Sequence, residues 1–195
     1  MAPEPETPLV ERPWEDVERL LAVDDALRRV LDMVAPLPPV ALPLLAAAGL
    51  VLAEDVVAPG DVPPFRNSAM DGYAVRAVDA AGAAADGPVA LRVLATAPAG
   101  SGGGLVVAAG CAVRIMTGAP MPTGADAVVR FEETDEGRSG DRGRVGILRA
   151  PRPGDNVREA GEDIARGAVV LRAGRVLGAA DLGLMASLGF TTAPV

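Results

Sequence analysis

Residues 63–74 read PPFRNSAMDGYA. The two prolines stop regular structure, Asn67 and Ser68 favour a turn, and Met70 breaks the polarity. Asp71-Gly72 is a tight-turn dipeptide, and Tyr73-Ala74-Val75 after it is strand-like. The segment therefore presents Asp71 at a fixed bend that leads into a strand. Taken alone, Asp-Gly predicts no more than a hairpin turn. Downstream, short apolar runs at 72–78, 89–95, 112–116, 127–132 and 145–149 are separated by Gly, Pro and Asp. That rhythm predicts the strands of a compact all-β unit. The polar run DEGRSGDRGR at 135–144 reads as a mobile hairpin tip.

On both sides of this unit the pattern changes. Residues 1–13 are rich in Pro and Glu and read as a disordered extension. Val17, Leu20, Leu21, Leu27, Val30, Leu31 and Val34 recur at helical spacing, which predicts helix within 14–35. Asp24 and Asp25 suit a helix start, so two helices can meet near Val23. Prolines 36, 38 and 39 end that unit, residues 40–44 read as extended, and 45–53 reads as a short Ala- and Leu-rich helix despite Gly49. After residue 150 a strand is predicted at 168–171 and a helix at 179–188, closed by Gly189 as its C-terminal cap. No internal repeat is present.

Composition limits the chemistry. The chain has 195 residues, half of them apolar but only 3% aromatic, with 23 Gly and 18 Pro, a mixture that suits short strands and turns. Every basic residue is Arg, and His is absent. Catalysis from this chain must therefore use carboxylates, hydroxyls, Arg or a metal. A net charge of −8 argues against a nucleic-acid partner, although a metal or local Arg can still receive an anionic substrate. The single Cys111 excludes an internal disulfide and reads as a small buried residue. No apolar span approaches the ~20 residues of a membrane helix and no signal sequence is read, so no membrane association and a cytoplasmic location are expected.

The run NSAMDGYA at 67–74 closely resembles the signature of the molybdopterin molybdenumtransferase family, and two more segments are similar to that family in the same order and spacing. They are RIMTGAPMPTGADAVV at 114–129 and PGDNVREAGEDIARGAVVL at 153–171, with looser likeness at 51–59 and 180–189. The resemblance covers 23–195, the front half of such a protein; the pterin-binding α/β domain is expected beyond Val195. It implies an α+β fold: residues 1–22 as a partly disordered extension, 23–62 and 151–195 as a discontinuous elongated linker and dimerisation domain, and 63–150 as an inserted β-rich, barrel-like domain.

It also implies function. Members insert molybdate into adenylylated molybdopterin with Mg2+, releasing AMP and forming molybdenum cofactor. They act as homodimers whose active site is shared between subunits, and contacts with the molybdopterin adenylyltransferase and with molybdoenzymes are expected. By the resemblance Asp71, Thr117 and Asp163 are catalytic, Asp71 and Asp163 are the metal carboxylates, and Arg158, Gly118 and Ser68 bind substrate. Read without it, Thr117 is a capping hydroxyl at a strand end, and Arg158, Glu162 and Asp163 form a solvated charge cluster. Asn67 and Ser68 also read as loop supports, Tyr73 and Met70 as packing, and Arg114, opposite Thr117 by simple strand alternation, as structural. Two positions depart from the family pattern: Arg66 stands where an aspartate is common, and Leu50 where an arginine is. Two rival readings are a scaffold, since gephyrin has a domain of this kind and clusters receptors, and a stand-alone structural module that has lost activity along with the pterin domain.

Overall fold

A computed structural model describes residues 21–100, 103–136 and 143–195. Packing divides the chain between Val40 and Ala41. In the first part, helix α1 spans Val23–Leu31 and begins where a second helix was expected. Asp24 and Asp25 lie in its first turn and Arg28 and Arg29 in its last, each sign placed where the helix dipole favours it. The portion of the expected 14–35 helix before Leu21 lies outside the described residues.

The second part carries strands β1 (Ala41–Pro43), β2 (Val56–Val57), β3 (Asn67–Ser68), β4 (Gly72–Val75), β5 (Val89–Ala97), β6 (Cys111–Ile115), β7 (Ala127–Arg130), β8 (Arg144–Ile147), β9 (Val157–Arg158), β10 (Val169–Leu171) and β11 (Thr192–Pro194). Helix α2 spans Ala179–Ser187. Early and late strands pair antiparallel in three small ladders: β1 with β11, β2 with β10 and β3 with β9. Ala47, Leu52, Val56, Leu171, Leu177, Met185 and Ala193 form the core under the outer two ladders and α2. Helix α2 ends as expected: Gly189 is left-handed (φ 89°), and Phe190 N–H donates to Met185 O at 3.0 Å across it.

The expected helix at 45–53 is instead a single 3-10 turn, Leu44–Ala47. Gly49 N–H donates to Leu177 O and Leu52 N–H to Arg175 O, so the C-terminal segment takes the backbone groups that a longer helix would have used. Tertiary pairing overrides the weak propensity of an Ala- and Leu-rich run.

Five strands form one mixed sheet in the order β7-β4-β6-β5-β8. Only β5 and β6 run parallel; the other pairs are antiparallel. The sheet curls, because Thr134 just beyond β7 bridges Ile147 of β8 at the opposite edge. One face carries Tyr73, Val75, Leu91, Ala112, Val129, Val145 and Ile147, the other Ala74, Val113, Ile115 and Val128. Cys111 is buried, as expected. Residues 137–142 of the predicted hairpin tip lie outside the described residues; on either side of them the chain pairs antiparallel, with Asp135 N–H donating to Gly146 O and Leu148 N–H to Glu133 O, both at 2.9 Å. Strands β7 and β8 are the two edges of the sheet order, and the arms of this hairpin join them. Two strands are also shorter than predicted: the chain breaks into 3-10 turns at Ala77–Ala80 and Phe131–Glu133.

Candidate functional site

Asp71 occupies the residue before β4, and Thr117 the second residue after its neighbour β6. The strands are in register as Gly72 with Ile115 and Tyr73 with Arg114. After Ile115 the chain turns, with Ala119 N–H donating to Met116 O at 3.0 Å and Gly118 left-handed (φ 79°). This turn swings Thr117 onto Asp71. Its backbone N–H donates to Asp71 Oδ1 at 2.7 Å and its hydroxyl donates to the same oxygen at 2.8 Å. Asp71 Oδ2 has no partner among the described residues. The carboxyl is exposed, and its pKa is lowered first by the Thr117 N–H, then by the hydroxyl, with the charge of Arg114 adding to them. An exposed carboxylate held ionised at one bend is the central feature of the site.

Gly72 serves a purpose other than the turn expected of it. Its φ is not positive. A Cβ there would lie 2.0 Å from the Val129 carbonyl oxygen of β7, so only glycine allows β7 to pair at that row. Gly118, by contrast, has open space around it and is required for its left-handed conformation. Its N–H donates to Ser68 O at 2.8 Å, which ties the Thr117 turn to β3.

Ser68 is 1% exposed, and its hydroxyl is engaged within its own loop, donating to Met70 O at 2.5 Å and accepting from Met70 N–H at 3.3 Å. That geometry supports the loop-holding role of Ser68 and leaves the hydroxyl turned away from solvent. Asn67 is likewise buried and donates to Phe65 O. Tyr73 packs as expected, edge-on to Phe131 with ring centroids 5.6 Å apart. Met70 does not: it is exposed, because the loop turns its side chain outward.

Arg158 and Asp163 form a second group. Strand β9 places Arg158 opposite Asn67. Asp163 is held by its own N–H, which donates to Val62 O at 2.9 Å, while Gly161 N–H donates to Pro63 O. Arg158 Nη2 contacts Asp163 Oδ1 at 2.5 Å, and its Nε lies 3.7 Å from Glu162. Asp163 raises the pKa of the guanidinium through this bond. The two groups are linked through the β3–β9 ladder: along the chain Asp71 follows β3 and Asp163 follows β9.

Among the described residues no group of three or more His, Cys, Asp or Glu could hold a metal ion. Asp71 still fits a hard divalent cation as a single carboxylate donor, because its Oδ2 is open; such a cation commonly takes one or two carboxylates and completes its shell with water and substrate phosphate oxygens. Asp163 has one oxygen committed to Arg158.

Two arginines near the site have defined partners. Arg66, which stands where the family pattern has an aspartate, is half-buried and paired, its Nε 2.8 Å from Glu159 and its Nη1 donating to Ala125 O at 3.3 Å, so it braces two segments. Arg114 lies on the Tyr73 face of the sheet beside the Asp71 end, with its guanidinium 4.8 Å from the Phe131 ring centroid. Strand alternation does not extend to Thr117, because the strand stops at Ile115 and the chain turns.

The family described as MoeA N-terminal region (domain I and II) matches residues 21–189. A Molybdopterin molybdenumtransferase 2 of Mycobacterium tuberculosis is 47% identical over 174 residues, which is 89% of this chain and 42% of the relative. A Molybdopterin molybdenumtransferase of Staphylococcus aureus is 35% identical over 176 residues, covering 90% of this chain and 41% of the relative. The crystal structure of a molybdopterin biosynthesis moeA protein from Pyrococcus horikoshii OT3 superposes with a TM-score of 0.80 at 36% identity, over 91% of this chain and 46% of that one. The chain spans about two fifths of the length of these curated relatives.

Proposed function

The chain belongs to the MoeA N-terminal region family, and on that premise we propose that it supplies one wall of a molybdopterin molybdenumtransferase site, where molybdate enters adenylylated molybdopterin and AMP is released. The names of the relatives support the reaction class. The observation that carries the residue assignment is the convergence of both Thr117 donors on Asp71 Oδ1, at the exposed end of the NSAMDGYA run.

In this reading Asp71 presents a fixed negative charge at neutral pH. With its proton directed at Asp71, the Thr117 hydroxyl offers only lone pairs to anything else, so it accepts a hydrogen bond and orients a donor. Gly118 keeps that turn open, and Ser68 holds the loop beneath it. Asp163 and Arg158, coupled to each other, form the second contact group across the β3–β9 ladder. A bound Mg2+, with Asp71 and Asp163 as its protein donors, would supply Lewis-acid polarisation of substrate oxygens.

Residues 23–62 with 151–195 act as the linker into which 63–150 is inserted, and two copies pair so that this wall faces the pterin-binding part of the other subunit. Transient contacts with the adenylyltransferase that makes the substrate and with acceptor molybdoenzymes belong to the same reading, as does a cytoplasmic setting. No helix among the described residues is long and apolar enough to cross a membrane.

The test uses the complete protein. Asp71→Asn or Asp163→Asn is expected to cut molybdate insertion by about a hundredfold, the scale of losing a preorganised electrostatic group, with the melting temperature nearly unchanged. Mixed dimers of either variant with a subunit damaged only in its pterin-binding part should recover part of the activity. Full activity in both single variants would remove these aspartates from the reaction, and no recovery in exchanged dimers would place the site within one chain.

A further inference from the structure

The reaction proposed above brings an anion to a carboxylate, so the site needs positive charge and unengaged hydrogen-bond donors. Most donors near Asp71 are already occupied. Both Thr117 donors point at Asp71 itself, Gly118 N–H binds Ser68 O, and Met116 N–H binds Ala97 O. The guanidinium of Arg158 is held by Asp163 and Glu162. Arg114 differs. It makes no hydrogen bond and no ion pair among the described residues, and its guanidinium carbon sits 4.8 Å from the centre of the Phe131 ring.

That cation–π contact holds the charge in place and engages none of the five N–H donors of the guanidinium. The platform is itself fixed at the site. Phe131 N–H donates to Asp71 O at 3.3 Å, and Tyr73 meets the Phe131 ring edge-on at 5.6 Å. Cross-strand register puts Arg114 directly opposite Tyr73, one residue pair in from the Gly72–Ile115 row that borders Asp71. Arg114 is therefore an exposed, braced cation with a full set of donors, on the same sheet face as Tyr73 and beside the Asp71 bend.

Resting on the functional reading above, we propose that Arg114, supported by Phe131, is the oxyanion-binding residue of this site, taking the oxygens of molybdate or of the substrate's diphosphate as they come to Asp71. A planar fork of donors matches two oxygens of either group. Its charge also offsets the repulsion between an anionic ligand and the Asp71 carboxylate. Arg158 then acts as the partner of Asp163.

The test is a titration of the 195-residue chain with sodium molybdate in one arm and inorganic pyrophosphate in the other, followed by NMR at the Arg114 side-chain Nε–H and the Thr117 backbone N–H. Saturable movement of Arg114 Nε–H is expected, and the arm with the tighter binding names the group received. Arg114→Gln should weaken that binding about tenfold with an unchanged amide spectrum elsewhere. Arg114→Lys should recover only part, because the fork is lost. Phe131→Leu should weaken binding less than Arg114→Gln does, because the cation remains while its support is gone. If Thr117 N–H responds to either anion while Arg114 Nε–H stays still, or if Arg114→Gln binds as the wild type does, the assignment of Arg114 is overturned and the Asp71 site stands. If neither probe responds to either anion, both fall.

Discussion

Gly72 and Thr117 show how single positions set up the Asp71 site. An added methyl at Gly72 would press into the backbone of β7, at 2.0 Å from Val129 O, where no side-chain rotation can relieve it. Gly72→Ala is therefore expected to cost about 3 kcal/mol, the upper end of overpacking, read as a lower denaturant midpoint at unchanged slope. The Asp-Gly pair was legible as a special position, but its reason was not, because the sequence does not say which strand lies alongside. Thr117 sits 46 residues from Asp71 in the chain, so their contact was out of reach of any local rule. Its consequence is a titration. The folded pKa of Asp71 is depressed, so the stabilisation it gives is present above the unfolded value of about 3.9 and is lost as pH falls through the lower folded value. An NMR titration of the Asp71 carboxyl should give a midpoint below about 3.9, and Thr117→Val should move it back only part of the way, since the backbone N–H, the larger cause, remains.

At the scale of elements, the 3-10 turn Phe131–Glu133 turns the chain out of β7 and does so around one carboxylate. Glu133 Oε1 receives Arg130 Nη2 at 2.8 Å and Arg149 Nη1 at 2.5 Å, beside a cavity of about 130 Å³ that also touches Asp155 and Asn156. The bond from Arg130 lowers its pKa most, against burial, with Arg149 adding to it. Glu133→Gln should cost about 1–2 kcal/mol through weakened charge-assisted bonds. The sign follows from the depressed folded value: the contribution is complete above about pH 4.5 and fades as pH falls through the folded pKa. Chemical denaturation of wild type and variant at pH 7 and pH 3 should show the gap closing in acid. The five sheet strands themselves were legible from their apolar runs between Gly, Pro and Asp. Where they stop was not, because 3-10 turns at Ala77–Ala80 and Phe131–Glu133 carry apolar residues that continue the strand composition. The parallel pairing of β5 with β6 was equally hidden, since alternation reports a buried face and not the direction of the neighbour.

Across the whole molecule, the N-terminal and C-terminal segments of 41–195 hold each other in three ladders, which no local pattern announced. The site inherits this arrangement: the strands that precede Asp71 and Asp163 pair as one ladder, β3–β9, from opposite halves of the chain. The family motifs made these residues legible as candidates; only the ladder explains how the strands that precede them come to pair. Just inside that ladder, Ala69 N–H donates to Asn156 O at 2.9 Å. A stretch whose first and last residues bond to each other is, to a protein engineer, a cassette. It can be cut from its host and closed on itself by a short linker, or its order can be permuted with new termini opened at an exposed turn, without stretching a strand. The same geometry lets evolution vary the curled sheet as a removable part while the surrounding ladders keep their pairing.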